Sequence, residues 1–200
     1  MKVIAISGSR NRQGKTAQIV DAVLKGVNAA GGQSESIFLT ERKLEHCRQC
    51  NPDGWGICRA ESRCIIEDDF ASIFEKINTA DAVIFANPTY FADLSESMKT
   101  LLDRLRRVSF MKTLQRPRLP GGFAATPGKP AIGICFAGGS GNGSVSALLN
   151  LERVLQTCGF ESADMISVRR QNLEMKLQML EKAGEWLVNR PAAPPPAPAH

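Results

Sequence analysis

Three short runs of apolar residues constrain the fold of this 200-residue chain most strongly. They lie at Val3–Ile6, Asp81–Ala86 and Ala131–Phe136, and each is nearly continuous in hydrophobic character. A strand has this pattern when both of its faces are covered, as in a parallel sheet with helices on both sides. Two weaker runs, Ser36–Leu39 and Ala163–Val168, mix polar and apolar residues, which is typical of strands at the edges of such a sheet.

Amphipathic helical patterns separate the five runs and indicate an α/β fold. Five strands that alternate with five helices predict a doubly wound parallel sheet, and the mixed strands at its edges give the order 2-1-3-4-5. That order has its topological switch point between the first and third strands, where ligands bind. The helices are expected around Ile19–Val27, from Asp68-Asp69 through Ile77, at Ser95–Val108, at Val145–Thr157 and at Asn172–Asn189.

The segments outside this pattern are expected to be irregular. Residues 40–67 and residues 109–128 are predicted to form two long loops, the second of them rich in Pro and Gly. Residues 1–190 are expected to form one domain. Residues 191–200 are predicted to be disordered, because their Pro and Ala residues supply few N–H donors and bury little surface.

Composition narrows the classes of function. A hydrophobic content of 43% suits one domain with a sizeable core. The formal net charge is +5, but Lys and Arg are scattered and not interleaved with aromatics, so we expect an anionic ligand and no nucleic-acid partner. Neither a signal-like N-terminus nor an apolar run of membrane-spanning length is present, so we expect a cytoplasmic protein without a membrane partner.

The segment between the first strand and the first helix, Ser7–Thr16, is predicted to hold a phosphate. Its small residues and free backbone N–H groups would lie at a helix N-terminus, where an anion is stabilised. Hydroxyl and basic side chains add donors and positive charge, although an ordinary strand-to-helix turn is the alternative. The residues assigned to this phosphate cradle are Ser9, Arg10, Asn11, Gln13, Gly14, Lys15 and Thr16.

Two well-known nucleotide-binding motifs do not match this segment. Gly14-Lys15-Thr16 supplies the end of a P-loop, but Ser9 occupies the position of its first Gly. A G-x-G-x-x-G fingerprint is absent after the first strand, and in the later glycine-rich loop Ser144 stands where the third Gly would be. A P-loop hydrolase would also need an Asp at the end of a neighbouring strand, where this chain has Asn87-Pro88.

Two further loops are expected to meet the cradle at the switch point. One follows the third strand and carries adjacent aromatics, and the other follows the fourth strand and is rich in glycine. Together the three loops suit a ligand with a phosphate at one end and a flat ring at the other, as in FMN. The alternative is that the two aromatics are residues of the core or of a lid and do not contact a ligand ring. The residues assigned to the ring are Pro88, Thr89, Tyr90, Phe91, Gly138 and Gly139.

Several motifs together carry a family resemblance: Gly8-Ser9 with Gly14-Lys15-Thr16, Ile66-Glu67-Asp68-Asp69, Asn87-Pro88-Thr89-Tyr90-Phe91, Ser95 with Met98-Lys99 and Asp103-Arg104, and Gly138-Gly139. At these positions the chain resembles the flavodoxin-like family of NAD(P)H-dependent FMN reductases and the related iron–sulfur flavoproteins. The resemblance covers residues 1–190. It implies a flavodoxin-like fold, FMN held by the first two loops, NADH or NADPH as electron donor, and assembly as a homodimer or homotetramer.

The leading hypothesis is therefore an FMN-dependent NAD(P)H oxidoreductase that passes electrons to a small-molecule or protein acceptor. The alternative is an electron-transfer iron–sulfur flavoprotein without NAD(P)H activity of its own. Hydride chemistry belongs to the flavin, so no side chain is assigned a catalytic role. With no second nucleotide domain visible, the donor would have to leave before the acceptor enters, which predicts ping-pong kinetics.

Four of the six cysteines, Cys47, Cys50, Cys58 and Cys64, lie within eighteen residues. In a reducing compartment such a cluster is interpreted as a metal site, as a redox pair or as incidental. A Cys-x2-Cys pair suits two adjacent ligands of one metal. The iron–sulfur members resemble C-x2-C-x2-C with a fourth Cys shortly after, whereas here Asn51–Ile57 separates the second and third cysteines. A [4Fe–4S] cluster, a zinc ion, a thiol pair and small buried residues remain alternatives.

Overall fold

A computed structural model of the protein describes residues 1–109 and 128–191. Five parallel strands in these ranges form one sheet in the order β2-β1-β3-β4-β5, which confirms the order predicted from the sequence. Most of the predicted 109–128 loop and of the predicted disordered tail lies outside the described residues. The strands are β1 (Lys2–Ser7), β2 (Gln33–Phe38), β3 (Ala82–Pro88), β4 (Pro130–Ala137) and β5 (Glu161–Arg169).

The helices of the described residues include the five expected ones and a short additional helix. Residues 40–67 are not wholly irregular, because a 3-10 turn at Leu39–Glu41 and the short helix interrupt them. Both edge strands start earlier than predicted, since their polar residues pair along the full length of their neighbours. The helices are α1 (Lys15–Ala29), α2 (Ile57–Glu61), α3 (Phe70–Thr79), α4 (Glu96–Val108), α5 (Ser144–Thr157) and α6 (Leu173–Asn189).

Helices cover both faces of the sheet, which explains why the central strands are apolar along most of their length. In β1, Val3 and Ala5 pack in the core formed with α1 and α6. Ile4 and Ile6 point to the opposite face and pack with apolar residues of α3, α4 and α5. Successive strand residues alternate between faces, so a strand buried on both sides is apolar except where a polar side chain finds a hydrogen-bond partner, as Asn87 does near the end of β3.

Two glycines let α1 and α6 approach closely. A Cβ atom at Gly26 would lie 1.8 Å from the Glu181 carbonyl oxygen, and one at Gly184 would lie 2.0 Å from the Val23 carbonyl oxygen. Real Cβ atoms do not come so near to a backbone oxygen, so each position requires glycine at this helix spacing. The contact holds α1, whose N-terminus follows the predicted cradle, against the sheet.

A buried ion pair joins α4 to the segment before α3. Arg104 on α4 donates two hydrogen bonds to the Asp68 carboxylate, at 2.6 and 3.0 Å, and both side chains are almost fully buried. The same carboxylate accepts the N–H groups of Glu45, at 2.8 Å, and of Phe70, at 3.1 Å. Asp69 is the N-cap of α3, which begins at Phe70, so the helix start predicted at Asp68-Asp69 is confirmed.

Candidate functional site

The loop after β1 leads into a helix N-terminus whose backbone donors are open. Gly14, the N-cap of α1, has extended backbone geometry and no capping side chain, and the first turn contains no acidic residue. The N–H groups of Lys15, Thr16 and Ala17 have no acceptor in the described part of the chain. Such donors, together with the positive end of the helix dipole, form a site for an anion.

The side chains of the cradle fix the shape of the loop. Asn11 accepts the Gln13 N–H on its Oδ1 at 2.8 Å, and its carbonyl accepts the Gly14 N–H at 3.1 Å. The Asn11 N–H donates to the Ser9 hydroxyl at 3.2 Å. These local bonds set the loop before any ligand arrives, and the buried hydroxyls of Ser9 and Thr16 lie at its two ends.

The basic side chains of the cradle have partners at its rim. Arg10 forms an exposed ion pair with Glu96 on α4, with 3.3 Å between nitrogen and oxygen. Lys15 donates to the Gln18 side chain at 3.4 Å. The third basic residue, Arg12, pairs with Glu41 and lies over the Phe38 ring, with 4.5 Å from its guanidinium carbon to the ring centre. The main-chain donors and the two hydroxyls therefore form the inner part of the cradle.

The loop after β3 forms a tight, braced turn. Tyr90 and Asp93 exchange backbone hydrogen bonds of 3.1 and 2.9 Å. The Asp93 carboxylate accepts the N–H of Leu94 at 2.8 Å and the Asn150 amide of α5 at 3.1 Å, and these bonds hold the pKa of Asp93 below its usual value. Tyr90 is half exposed and Phe91 fully exposed, so neither aromatic belongs to the core.

A cavity of about 320 Å³ lies between this turn and the glycine-rich loop after β4. The Thr89 hydroxyl is buried there and has no hydrogen-bond partner among the described residues. A Cβ atom at Gly139 would meet nothing within 4 Å, so the cavity is open on that side. Gln171, after β5, braces the far end of the loop by donating to the Ser140 carbonyl at 2.8 Å. The predicted Gly138 lines the same cavity.

A buried network joins the two predicted loops, and sequence reasoning did not assign its residues to the site. The Asn87 amide oxygen accepts the N–H and the hydroxyl of Ser95 at 3.0 and 2.9 Å, while its nitrogen donates to the Pro88 carbonyl at 2.7 Å. Ser97 donates to the Gly8 carbonyl at 3.0 Å. A Cβ atom at Gly8 would lie 2.5 Å from the Ser95 hydroxyl oxygen, so the two loops meet across this glycine. Gly8, Asn87 and Ser95 belong to the motifs that carry the family resemblance, but no local pattern indicated that they contact one another.

The four clustered cysteines line one pocket, at the side of α4. Cys47, Cys50, Cys58 and Cys64 border it together with three arginines, and the space between them is about 20 Å³, roughly that of one water molecule. The arginines are Arg48, Arg104 and Arg107.

The inserted segment Asn51–Ile57 is folded over this pocket. Its Trp55 ring lies between two guanidinium groups, with ring-centre distances of 4.5 Å to Arg107 and 5.4 Å to Arg59. Arg107 also donates to the Gly54 carbonyl oxygen. Thiolate chemistry suits a metal or cluster, but in residues 1–109 and 128–191 no three His, Cys, Asp or Glu side chains are grouped closely enough to hold a metal ion. The four thiols are therefore suitable ligands for such a centre, but the described side chains are not grouped closely enough to form it.

The sheet order and the position of the three loops define a flavodoxin-like fold. The sequence matches the NADPH-dependent FMN reductase family over residues 1–173, and the chain belongs to that family. None of the described helices is both long and apolar enough to cross a membrane.

The relatives of this chain include iron–sulfur flavoproteins of two archaea. The chain is 38% identical over 112 residues to an iron–sulfur flavoprotein of Methanocaldococcus jannaschii, a match that covers 55% of each chain. It is 33% identical over 113 residues to an iron–sulfur flavoprotein of Methanosarcina thermophila, covering 55% of this chain and 56% of the other. The matches thus span about half the length of these relatives.

A solved structure shares the fold over nearly the whole chain. The NAD(P)H:quinone oxidoreductase of Methanothermobacter marburgensis superposes with a TM-score of 0.66, covering 94% of this chain and 96% of the other. Its sequence identity is 17%, so this likeness concerns the fold alone.

Proposed function

We propose that the protein binds FMN at the switch point and oxidises NADH or NADPH, passing the electrons to a small-molecule acceptor or a redox protein. The observation that carries the proposal is the combination of an open N-terminus of α1 with a cavity in which the buried Thr89 hydroxyl has no partner among the described residues. The first feature matches a phosphate, and the second matches the polar edge of a flat ring.

Each loop has a separate task in this proposal. The N–H groups at the start of α1, with the hydroxyls of Ser9 and Thr16, hold the phosphate. Thr89 and the backbone around Gly139 bind the polar edge of the ring, and the exposed Tyr90 covers part of its face. FMN, when bound, supplies hydride acceptance and the onward release of electrons. The chain's own contribution is to bind and orient the ring and to leave one face open to the donor.

Cofactor content and donor oxidation test the proposal separately. Purified protein should contain about one equivalent of FMN, measured by its absorption spectrum after release and by quenching of added FMN fluorescence. Anaerobic addition of NADH or NADPH should then bleach the flavin band. Colourless protein that does not quench FMN fluorescence would refute the proposed cofactor, and a flavin band that neither nucleotide bleaches would refute the proposed donor.

A second candidate is an electron-transfer iron–sulfur flavoprotein without NAD(P)H activity. It is supported by the four cysteines around one pocket, by the arginines that would offset thiolate charge there, and by the names of the relatives. Because no three such ligands are grouped in the part of the chain that the structure describes, we assign no step to a cluster or to zinc. Anaerobic purification followed by iron, sulfide and zinc analysis decides: about four irons and four sulfides per chain would establish the cluster. Metal-free protein with four titratable thiols would exclude both centres.

We further propose a cytoplasmic homodimer or homotetramer with residues 1–190 as its FMN-binding domain and with no nucleic-acid or membrane partner. The family match over residues 1–173 supports the extent of the domain, and the scattered Lys and Arg residues support the absence of a nucleic-acid partner. Light scattering of the FMN-loaded protein tests the assembly, and a monomer at micromolar concentration would contradict it.

A further inference from the structure

A large polar cavity, which the proposed FMN contacts do not use, lies beyond the phosphate cradle. Its volume is about 480 Å³, and it opens between the 3-10 turn after β2 and the first turns of α4. Three hydroxyl side chains and two arginines border it. The residues are Arg10, Leu39, Thr40, Glu41, Arg42, Leu44, Glu96, Ser97 and Thr100.

This cavity continues into the proposed flavin site. A second cavity, of about 250 Å³, runs from Gly8 and Tyr90 to the start of α4. Arg10, Glu96 and Ser97 border both cavities, so the two spaces meet across the Arg10–Glu96 ion pair. That pair is exposed and contributes little to stability, so it does not fix the boundary between them. The result is one groove from the proposed ring position to Arg42.

Arg42 is the cation at the far end of the groove that forms no salt bridge within the described residues, and, after the hydrogen bond from Arg12, its charge also helps to lower the pKa of Glu41. The two carboxylates that border the large cavity are already paired, Glu41 with Arg12 and Glu96 with Arg10. The Arg42 guanidinium is exposed and has no hydrogen-bond or ion-pair partner within the described ranges. Its backbone N–H donates to the Leu39 carbonyl oxygen at 3.1 Å.

Hydroxyl groups at this end can complete a phosphate site. Thr40 donates to the Ser9 carbonyl at 3.1 Å, which leaves lone pairs of its oxygen free to accept. Thr100 borders the same cavity one helical turn beyond Ser97. An arginine fork with nearby hydroxyls is the usual protein partner of a phosphate monoester.

We propose that this cavity binds the 2′-phosphorylated adenosine end of NADPH and that Arg42 makes the protein selective for NADPH over NADH. The proposal rests on the proposed function, because it takes the nicotinamide end of the same donor to lie over the ring near Tyr90. Arg42 contacts the non-reacting end of the donor, so it sets affinity and leaves the chemistry at the ring unchanged.

Binding of fragments tests the site without turnover. Isothermal titration of the FMN-loaded protein with adenosine 2′,5′-bisphosphate and with adenosine 5′-monophosphate isolates the contribution of the 2′-phosphate. The wild-type protein should bind the bisphosphate at least about tenfold more tightly, as expected for charge-assisted hydrogen bonds. Arg42→Ala should abolish that preference, and Arg42→Lys should retain part of it. Arg153→Ala, which removes an exposed arginine of α5 outside the groove, should leave the preference unchanged.

Steady-state kinetics supply the second readout. Arg42→Ala should raise KM for NADPH about tenfold or more while leaving KM for NADH and both kcat values within about twofold. Equal affinity of the wild-type protein for the two fragments, or a preference that survives Arg42→Ala, would overturn the proposal. Oxidation of neither nucleotide would instead contradict the proposed function, and the fragment titration would still decide the phosphate site.

Discussion

Replacing Asp68 with Asn tests the buried ion pair that ties α4 to the segment before α3. The substitution keeps the shape of the side chain and removes its charge, while Arg104 remains buried and charged. Asp68 receives four hydrogen bonds, two from Arg104 and one each from the N–H groups of Glu45 and Phe70. An amide supplies one acceptor oxygen, so at least one of the donors now bound to the carboxylate loses its partner.

The expected loss of stability is large. Removing one partner of a buried ion pair costs about 3–5 kcal/mol, because the other charge stays uncompensated. The matched control is Asp103→Asn, which breaks a partly exposed pair with Arg106 at 3.6 Å on the same helix. That control should cost at most about 1 kcal/mol.

Urea unfolding followed by circular dichroism at pH 7 measures both free energies. A double variant, Asp68→Leu with Arg104→Met, removes both charges. It therefore separates the destabilisation caused by an unpaired buried charge from the destabilisation caused by a changed side-chain shape. It should recover part of the stability lost by Asp68→Asn, since neither charge then remains buried. A loss below about 1 kcal/mol for Asp68→Asn, or a double variant that is less stable still, would refute the reasoning.

The acid dependence of stability gives an independent check. Burial alone would raise the pKa of Asp68, but the hydrogen bonds from Arg104 and from two backbone N–H groups outweigh burial and hold the pKa below the ordinary value of 3.8. The unfolded state therefore takes up a proton at a higher pH than the folded state does. The contribution of Asp68 is fully present above the unfolded pKa and is lost as the pH falls toward the lower folded pKa. Stability of Asp68→Asn should accordingly fall less steeply over that acid range.

Three further predictions follow from the cradle, the helix crossing and the buried thiols. Thr16→Ala should weaken FMN binding by about 1.5–3 kcal/mol and riboflavin binding much less, measured by fluorescence quenching; equal losses would contradict a phosphate contact. Gly184→Ala should lower the free energy of unfolding by about 1–3 kcal/mol, since its Cβ would lie 2.0 Å from the Val23 carbonyl, and unchanged urea midpoints would disprove the close crossing. Burial raises the pKa of Cys135 to about 12, so at pH 8 iodoacetamide should modify the exposed Cys50 and spare Cys135 until the protein unfolds; peptide mass mapping that finds Cys135 modified first would contradict its burial.

The sheet could be predicted from local sequence because burial on both faces leaves a direct pattern. Val3–Ile6 and Ala131–Phe136 are apolar at every position, apart from Gly133, and both lie inside the sheet. The edge strands were placed correctly, although their ends were not, because polar residues at an edge resemble loop residues. Gln33–Glu35, for example, pair with β1 along a polar stretch that has no strand signature of its own.

The parts of the site that are continuous in sequence were also predictable. Ser9 to Thr16 follow one strand and precede one helix, so their position at a helix N-terminus follows from local rules. Contacts between distant segments were not. Asn150 and Gln171 brace the two ring loops from positions 57 and 31 residues away from their partners, and no local pattern marks either residue.

The cysteine segment shows most clearly which features follow from the local sequence and which depend on the tertiary structure. Sequence alone determined that four thiols lie close along the chain, as well as the strand order and the open helix N-terminus, because each depends on neighbours or on the period of the pattern. Only the tertiary structure decided what surrounds those thiols: Arg104 and Arg107 from α4, and Trp55 held between two guanidinium groups. Side-chain partners more than a few residues apart are chosen by packing of the whole domain, which no short stretch of sequence encodes.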